Sequence, residues 1–332
     1  MLNKEILEKL KNPRTLEKTD TTFGFVSTGC LALNKIISGN YHDGIPIGAI
    51  TQLRGDSSTG KTLFLTSILI EAQKCGYFTK LLDAENAYNE VFAKMLGLDP
   101  KSLLYSNPES LEEAFADIES TIESIREHDS DTPIVIGIDS LAVLGTRKEL
   151  ATENFEHSPA DGAIRAQVTG MCFRRINPVL RKHKVALVVI NQIRSKIGVM
   201  YGSPDTNAAG GKSLEYYLGV DLKTFRREKL KDDNDNPKGI RGEVECTKNK
   251  YSIPYKKCEF ELVFNTGLSR YHGLLEDLCT EGLISKSSNG RCQLGETKFT
   301  AKDFINLIYD KNNKDFDIIR LRIGFDNQKE VK

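Results

Sequence analysis

The sequence predicts an α/β protein with a mostly parallel central sheet, and three observations predict it. Short apolar runs alternate with helical patterns from residue 49 to residue 191, the order expected of a buried parallel sheet covered on both faces. One strand–helix junction carries GDSSTGKT, residues 55–62. This is a complete G-x-x-x-x-G-K-[ST] phosphate loop in the strand-then-helix context the motif requires. Two further strands end in acids, at FTKLLDAEN and PIVIGIDS, and the carboxyl ends of parallel strands are where such sheets gather ligands.

In order along the chain, residues 3–11 form a short amphipathic helix with Ile6, Leu7 and Leu10 on one face, stopped by Pro13. Residues 14–22 are a polar connector. The strand at 49–53 and the helix from 61 flank the phosphate loop. Strand 78–83, helices 88–96 and 109–127, strand 133–139, helix 163–182 and strand 185–191 follow. Strand-like runs at 217–226, 240–248 and 256–264 come next, with KLKDDNDNPKG (229–239) as an exposed turn. Gly267 marks a change. Beyond it YHGLLEDLCTEGLI and AKDFINLIYD alternate with short strand patterns, as in a small separate module. The expected division is 1–23, an N-terminal helix and connector; 24–268, the core; and 269–332, a C-terminal domain.

Bulk properties exclude several classes. The chain has 332 residues, enough for one large core and a smaller module, and its 46 basic residues balance 46 acidic ones. Nucleic acid could therefore be held only by a local patch. Seven cysteines contain no C-x-x-C pair, which argues against a disulfide framework or zinc site and for a reducing compartment. The charged start has no apolar leader, and no stretch reaches the ~18 apolar residues of a membrane span. A cytoplasmic protein without a membrane partner is expected.

The phosphate loop supplies the first chemistry. Gly55 and Gly60 let the backbone of Asp56, Ser57, Ser58 and Thr59 wrap an anion with its N–H groups, and the following helix start adds positive partial charge. Lys61 would reach the β- and γ-phosphates, and the Thr62 hydroxyl would ligate Mg²⁺. Asp139 would position the metal through its water shell, and Glu85 would orient or deprotonate the attacking water. A chance glycine turn, or a loop or helix-capping carboxylate at either acid, is the plainer alternative for each feature taken alone. Together they predict hydrolysis of ATP or a related nucleotide.

A second chemistry lies in INQIRSKIGVMYGSPDTNAAGGK, residues 190–212. Here a buried strand ends in the amides Asn191 and Gln192. A basic, glycine-rich loop follows, carrying Arg194, Lys196 and Lys212 against the single acid Asp205.

The strings STGCLALNKII, GDSSTGKT, DAENA, VIGIDSLAVL, NQIRSKIGVMYGSPDTNAAGG and TKNK resemble, in order and spacing over residues 24–285, the bacterial RecA recombinase family. A bacterial or bacteriophage member is implied. The resemblance implies a RecA-type P-loop core, an N-terminal oligomerisation helix, a small C-terminal α/β domain, and helical filaments on single-stranded DNA with ATP between subunits. It makes Lys61, Thr62, Glu85 and Asp139 the ATP and Mg²⁺ residues and Gln192 the sensor of the γ-phosphate. Lys248 and Lys250 would reach across to a neighbour's ATP. Asn89 and Phe92 would contact adenine, with Phe92 in place of the usual Tyr.

In such proteins two loops hold DNA. The second matches residues 194–212: Arg194 and Lys196 would neutralise phosphates, Ile197, Val199 and Met200 would wedge between bases, and Gly198, Gly210 and Gly211 would let the backbone track the strand. The first corresponds to residues 147–162 but lacks the usual Gly-Asp-x-His-Met-Gly run and is acidic. Contacts there fall to backbone N–H groups, Arg147, Lys148 and Arg165, unless it is a solvated loop without a DNA role. Tyr216 stands where an aromatic couples neighbouring subunits, and Asp221 stands where the family has an Arg used in ATP coupling. The ending GFDNQKEVK carries no acidic tail, implying weaker autoinhibition. The C-terminal module is a duplex-DNA site in the family, with Lys286, Arg291 and Lys298 as candidates here. The five histidines are scattered and are expected on surfaces or loops. A ring-forming helicase or ATPase with the same core, and a non-hydrolysing ATP-binding DNA filament protein, are the alternatives to a recombinase.

Overall fold

The computed structural model of the chain describes residues 23–151, 159–192 and 211–325. The chain opens with β1 (Phe25–Val26), α1 (Leu31–Ser38) and β2 (Ile45–Pro46). Strand–helix units follow: β3 (Ile50–Gly55) with α2 (Lys61–Lys74), β4 (Phe78–Asp83) with α3 (Glu90–Met95), and β5 (Leu103–Ser106) with α4 (Leu111–Arg126). Next come β6 (Ile134–Asp139) with α5 (Arg147–Leu150) and α6 (Pro159–Lys182), then β7 (Val185–Gln192) and α7 (Gly211–Tyr217). Four strands close the core: β8 (Val220–Lys231), β9 (Pro237–Asn249), β10 (Lys257–Val263) and β11 (Gly267–Leu268). The C-terminal part holds α8 (Leu274–Thr280), β12 (Ser285–Lys286), β13 (Cys292–Leu294), β14 (Thr297–Phe299), α9 (Phe304–Tyr309) and α10 (Asp317–Arg322).

The large sheet has the order β11-β10-β9-β8-β3-β7-β6-β4-β5. Strands from β8 to β5 are parallel, and β9, β10 and β11 are antiparallel additions. The central strands β6 (IVIGID) and β7 (VALVVINQ) are apolar up to their ends because both their faces are covered. On β7, Val185, Leu187 and Val189 pack with Phe115 and Ile118 of α4 and Phe173 and Ile176 of α6. The alternate residues Ala186, Val188 and Ile190 pack with Phe64, Leu65 and Ile68 of α2. Each fully buried aliphatic of this kind contributes about 1.5–3 kcal/mol. Local signals agree with the packing. Ser110 caps α4 by accepting from the Glu113 N–H at 3.2 Å, acids occupy the first turn, and Arg126 lies in the last.

Residues 274–323 build a second, smaller core around Leu274, Leu278, Phe304 and Phe316, under the antiparallel sheet β12-β13-β14. It takes in Leu31 and Tyr41 from the N-terminal side. The Tyr41 hydroxyl donates to Asp277 at 2.6 Å, and Lys35 pairs with Glu281 at 2.8 Å.

Four elements depart from expectation. The exposed turn expected over 229–239 is much tighter: β8 continues to Lys231 and β9 begins at Pro237, leaving a turn closed by the Asp232 N–H donating to the Asn236 carbonyl at 2.9 Å. Cross-strand backbone pairing carries these polar residues, and side-chain polarity alone does not reveal it. Tyr217, the expected first residue of a strand over 217–226, is instead the last residue of helix α7, and the strand begins at Val220. Helix α1 and edge strand β5 are additional to the expected elements; the two middle residues of β5, Leu104 and Tyr105, are both exposed, so its burial does not alternate. The helix expected at 3–11 and the connector at 14–22 lie outside the described residues.

Candidate active site

The parallel register brings the sequence-derived residues to one edge of the sheet. Gly55 of β3 stands opposite Gln192 of β7, and Asp83 of β4 stands opposite Asp139 of β6. The chain turns after Gly55 into the loop Asp56–Gly60 and enters α2 at Lys61. Gly60 takes φ 85°, a conformation costly for any residue with a Cβ. At Gly55 a Cβ would fall 2.4 Å from the Thr224 hydroxyl, so only glycine lets β3 and β8 meet there. Ser58 also has positive φ, and the Thr59 hydroxyl donates to the Asp56 carbonyl at 3.0 Å. No side chain caps the start of α2, so its first N–H groups are left to an anion.

Lys61 is buried, and its ammonium donates to the carbonyls of Gly55 at 3.1 Å and Asp56 at 2.6 Å. Burial pulls its pKa below the ordinary lysine value, against the opposing pull of Asp139, Asp56 and Glu85. The Thr62 hydroxyl donates to Asp139 at 2.7 Å. Burial pushes the Asp139 carboxyl from 3.8 up to about 6; the Thr62 hydrogen bond and Lys61 oppose the shift, and Glu85 and Asp83 add to it. Hard oxygen donors held this close, one of them hard to ionise without a cation, fit Mg²⁺.

Glu85 is the meeting point. One of its carboxylate oxygens accepts from the Ser140 hydroxyl at 2.7 Å and from the Gln192 side-chain amide at 3.1 Å. The peptide between Asp139 and Ser140 is cis. The Asp139 carbonyl accepts from the N–H of Ala84 at 2.8 Å, so the ends of β4 and β6 are joined as well.

Ser140 was not singled out by sequence reasoning, although it follows Asp139 in IGIDS. Asp83 was also missed; it accepts from the Tyr88 N–H at 2.9 Å and the Tyr105 hydroxyl at 2.8 Å, which holds the segment carrying Glu85. Another unmarked feature is an apolar cavity of about 420 Å³ beside the loop, lined by Ser58, Gly60, Leu63, Arg226, Ile240 and Phe264 among others. No short motif marks it, because its walls come from α2, β8, β9 and the end of β10.

Other predicted residues lie elsewhere. Asn89 caps α3 by accepting from the Phe92 N–H at 2.9 Å, and Phe92 is half-buried. Arg165 on α6 donates to the carbonyls of Ala142 at 2.9 Å and Leu144 at 2.7 Å, holding the segment after Ser140. Lys248 and Lys250 are not in this chain's own phosphate site. Lys248 pairs with Asp221, which stands beside Gln52, and the Lys250 N–H donates to the Gly219 carbonyl at 2.9 Å, toward the opposite end of β3 from Gly55. Lys248 donates to the Glu215 carbonyl, and burial followed by Lys250 lowers its pKa. Arg194, Lys196, Ile197, Gly198, Val199, Met200 and Gly210 lie outside the described residues, and Gly211 opens α7. Residues 147–150 of the acidic loop form α5, closed by a capping box between Thr146 and Glu149.

A phosphate loop after the end of β3, an acid at the end of β6 and a second acid after β4 define a P-loop nucleoside triphosphatase. The family model RecA N-terminal domain matches residues 11–269. Curated proteins named Protein RecA are similar along most of the chain. That of Chlorobium chlorochromatii is 35% identical over 285 residues, 84% of this chain and 76% of its own length. That of Rhodopirellula baltica is 35% identical over 289 residues (86% and 73%), and that of Streptomyces coelicolor 32% over 312 residues (93% and 80%). The chain belongs to the RecA family and is an ATP-dependent DNA recombinase, a DNA-dependent ATPase of recombination and repair. Among the described residues no helix is long and apolar enough to cross a membrane.

The electrostatics give a pH signature. A carboxyl whose folded pKa is raised stabilises the fold fully below its unfolded value, and that contribution is lost as pH rises through the folded value. For Asp139 the window runs from 3.8 to about 6. In nucleotide-free buffer with chelator, Asp139→Asn should gain on wild type by about 2–3 kcal/mol between pH of about 4 and about 7. Denaturant unfolding across that range measures it; parallel profiles would contradict the assignment.

Proposed function

We propose that the protein polymerises as a helical filament on single-stranded DNA, with ATP and Mg²⁺ between subunits, and catalyses homologous pairing and strand exchange with duplex DNA. The observation that carries this reading is the Glu85 carboxylate, held by Gln192 at 3.1 Å from the last residue of β7. The chain after β7 is the basic segment that resembles the DNA loop of this family. One hydrogen bond thus joins the group proposed to handle the attacking water to the strand proposed to carry DNA contacts.

The residue roles follow from chemistry. The backbone of Gly55, Asp56, Ser57, Ser58, Thr59 and Gly60 would cradle the phosphates, and Lys61 would leave its two loop carbonyls for the β- and γ-phosphate oxygens. Bound through Thr62 and, by way of water, Asp139, Mg²⁺ would offset the charge that develops on the transferring phosphoryl group. Glu85, steadied by Ser140 and Gln192, would orient the attacking water and accept its proton. Asn89 and Phe92 are the proposed adenine contacts, and the apolar cavity beside Ser58 is a second surface suited to a base. The far position of Lys248 and Lys250 supports a role at a neighbour's ATP, in the manner of an arginine finger. DNA would be held by Arg194, Lys196, Ile197, Gly198, Val199, Met200, Gly210 and Gly211, with Arg165 bracing the first loop. Base pairing, not side-chain readout, would then select the partner strand. We also propose residues 1–23 as the segment that docks on a neighbour and 269–332 as the C-terminal domain. The extent of the matched family model, 11–269, supports the latter boundary.

Two measurements test this. Glu85→Gln should lower phosphate release stimulated by single-stranded DNA by about 10²–10⁴-fold with ATP binding kept; full turnover would remove Glu85 from the mechanism. Electron microscopy of the protein with ATP and single-stranded DNA should show open helical filaments, and closed rings would refute the assembly.

A further inference from the structure

A buried polar network runs across four strands just beneath the phosphate site. The Asn191 side-chain amide of β7 donates to the Gln52 carbonyl oxygen of β3 at 3.1 Å, and the Gln52 amide donates to Asp221 of β8 at 2.9 Å. Arg54 of β3 donates to both Asp221 oxygens through Nε, at 3.0 and 2.8 Å, and through Nη2 to the Thr247 hydroxyl of β9 at 3.1 Å. That hydroxyl donates in turn to Asp221 at 2.5 Å. Asn191, Gln52 and Asp221 are 0%, 2% and 6% exposed.

The far end of this network coincides with an irregularity in the ladder. Asp221 pairs with Lys248 but Leu222 pairs with Cys246, so Thr247 is the extra residue of a β-bulge. A bulge re-aims the residues beyond it, and a one-residue slip would turn each of them to the opposite face. The residues beyond are Lys248, Asn249 and Lys250. Asn249 donates to the carbonyls of Ile36 at 3.3 Å and Ile37 at 2.8 Å, tying the strand end to the last turn of α1. A buried ion pair adds little stability over apolar packing but fixes register, because the wrong register strands a charge.

We propose that Arg54, Asp221 and Thr247 are positioning residues for ATP hydrolysis: they pin the β9 bulge and so set Lys248 and Lys250 as the half-site this subunit offers to its neighbour's ATP. The inference rests on the trans role proposed above for the two lysines. Through Gln52 and Asn191, the same network abuts Gln192, so the half-site a subunit offers is linked to the state of its own phosphate site.

Complementation between variants tests it. Asp221→Asn should bind ATP within about twofold of wild type, yet lose at least about tenfold in DNA-stimulated phosphate release, because its phosphate loop is intact and its offered lysines are displaced. Lys61→Ala has the opposite defect. A 1:1 mixture should recover roughly a quarter of wild-type turnover, since one in four random head-to-tail interfaces joins two intact halves. Thr247→Val, which cuts only the link to β9, should complement in the same way and serves if Asp221→Asn does not fold. Lys248→Ala mixed with Lys61→Ala is the control. If that pair recovers activity but neither network variant does, the positioning role is overturned while the trans lysines stand. If no pair recovers activity, both are overturned.

Discussion

Everything in this molecule depends on a constraint of buried parallel strands: a polar side chain can meet a ligand only at a strand end, those within the sheet being tied to protein partners as Gln52 is, and all the ends of one direction fall on one line. β3, β4, β6 and β7 have no solvated face on which to place a carboxylate or an amide. Each therefore carries its chemical group at its last residue or just after it, and register alone then sets Gly55 beside Gln192 and Asp83 beside Asp139. Apolar packing and strand register, more than the polar contacts within it, thus place the site.

The polar contacts then divide into two kinds. At the rim, Lys61, Thr62, Asp139 and Glu85 satisfy one another locally, through the loop carbonyls and through hydroxyl–carboxylate bonds. These partners are ones a triphosphate and a hard cation can replace, since desolvation leaves both Lys61 and Asp139 poorly accommodated as ions. Beneath the rim, the Asn191–Gln52–Asp221–Arg54–Thr247 network has Asn191, Gln52 and Asp221 buried and joins its members to one another across the sheet. The first set suits exchange of ligands and the second suits the keeping of geometry.

Much of this was legible in the sequence because it is local. GDSSTGKT, IGIDS and DAEN each place an acid, a lysine or a glycine turn at a strand end, and the apolar run that leads into IGIDS is uninterrupted. Strand 78–83 and the long helices follow from pattern alone. What escaped is non-local or hidden by exposure. The role of Ser140 depends on Glu85, 55 positions away. Arg54 looks like a solvated residue beside the loop until β8 supplies Asp221, 167 positions on. Replacing the family's arginine with Asp221 puts a detail of coupling in doubt on sequence grounds. In the fold that carboxylate has a guanidinium partner on β3. The full length of the β8–β9 hairpin is not visible in the sequence, because cross-strand pairing leaves no periodic mark on a polar run.

We propose that the Glu85–Gln192 contact transmits the presence of nucleotide to the basic segment that follows β7. If so, ATP binding and DNA binding share a coupling free energy that passes through one side chain. The most direct measurement is the affinity for single-stranded DNA with and without ATP, in wild type and in Gln192→Ala. The account predicts that wild type tightens on DNA when ATP is added, whereas Gln192→Ala binds ATP nearly as well but shows the same DNA affinity in both conditions. A variant that retains the full ATP-dependent gain would contradict it.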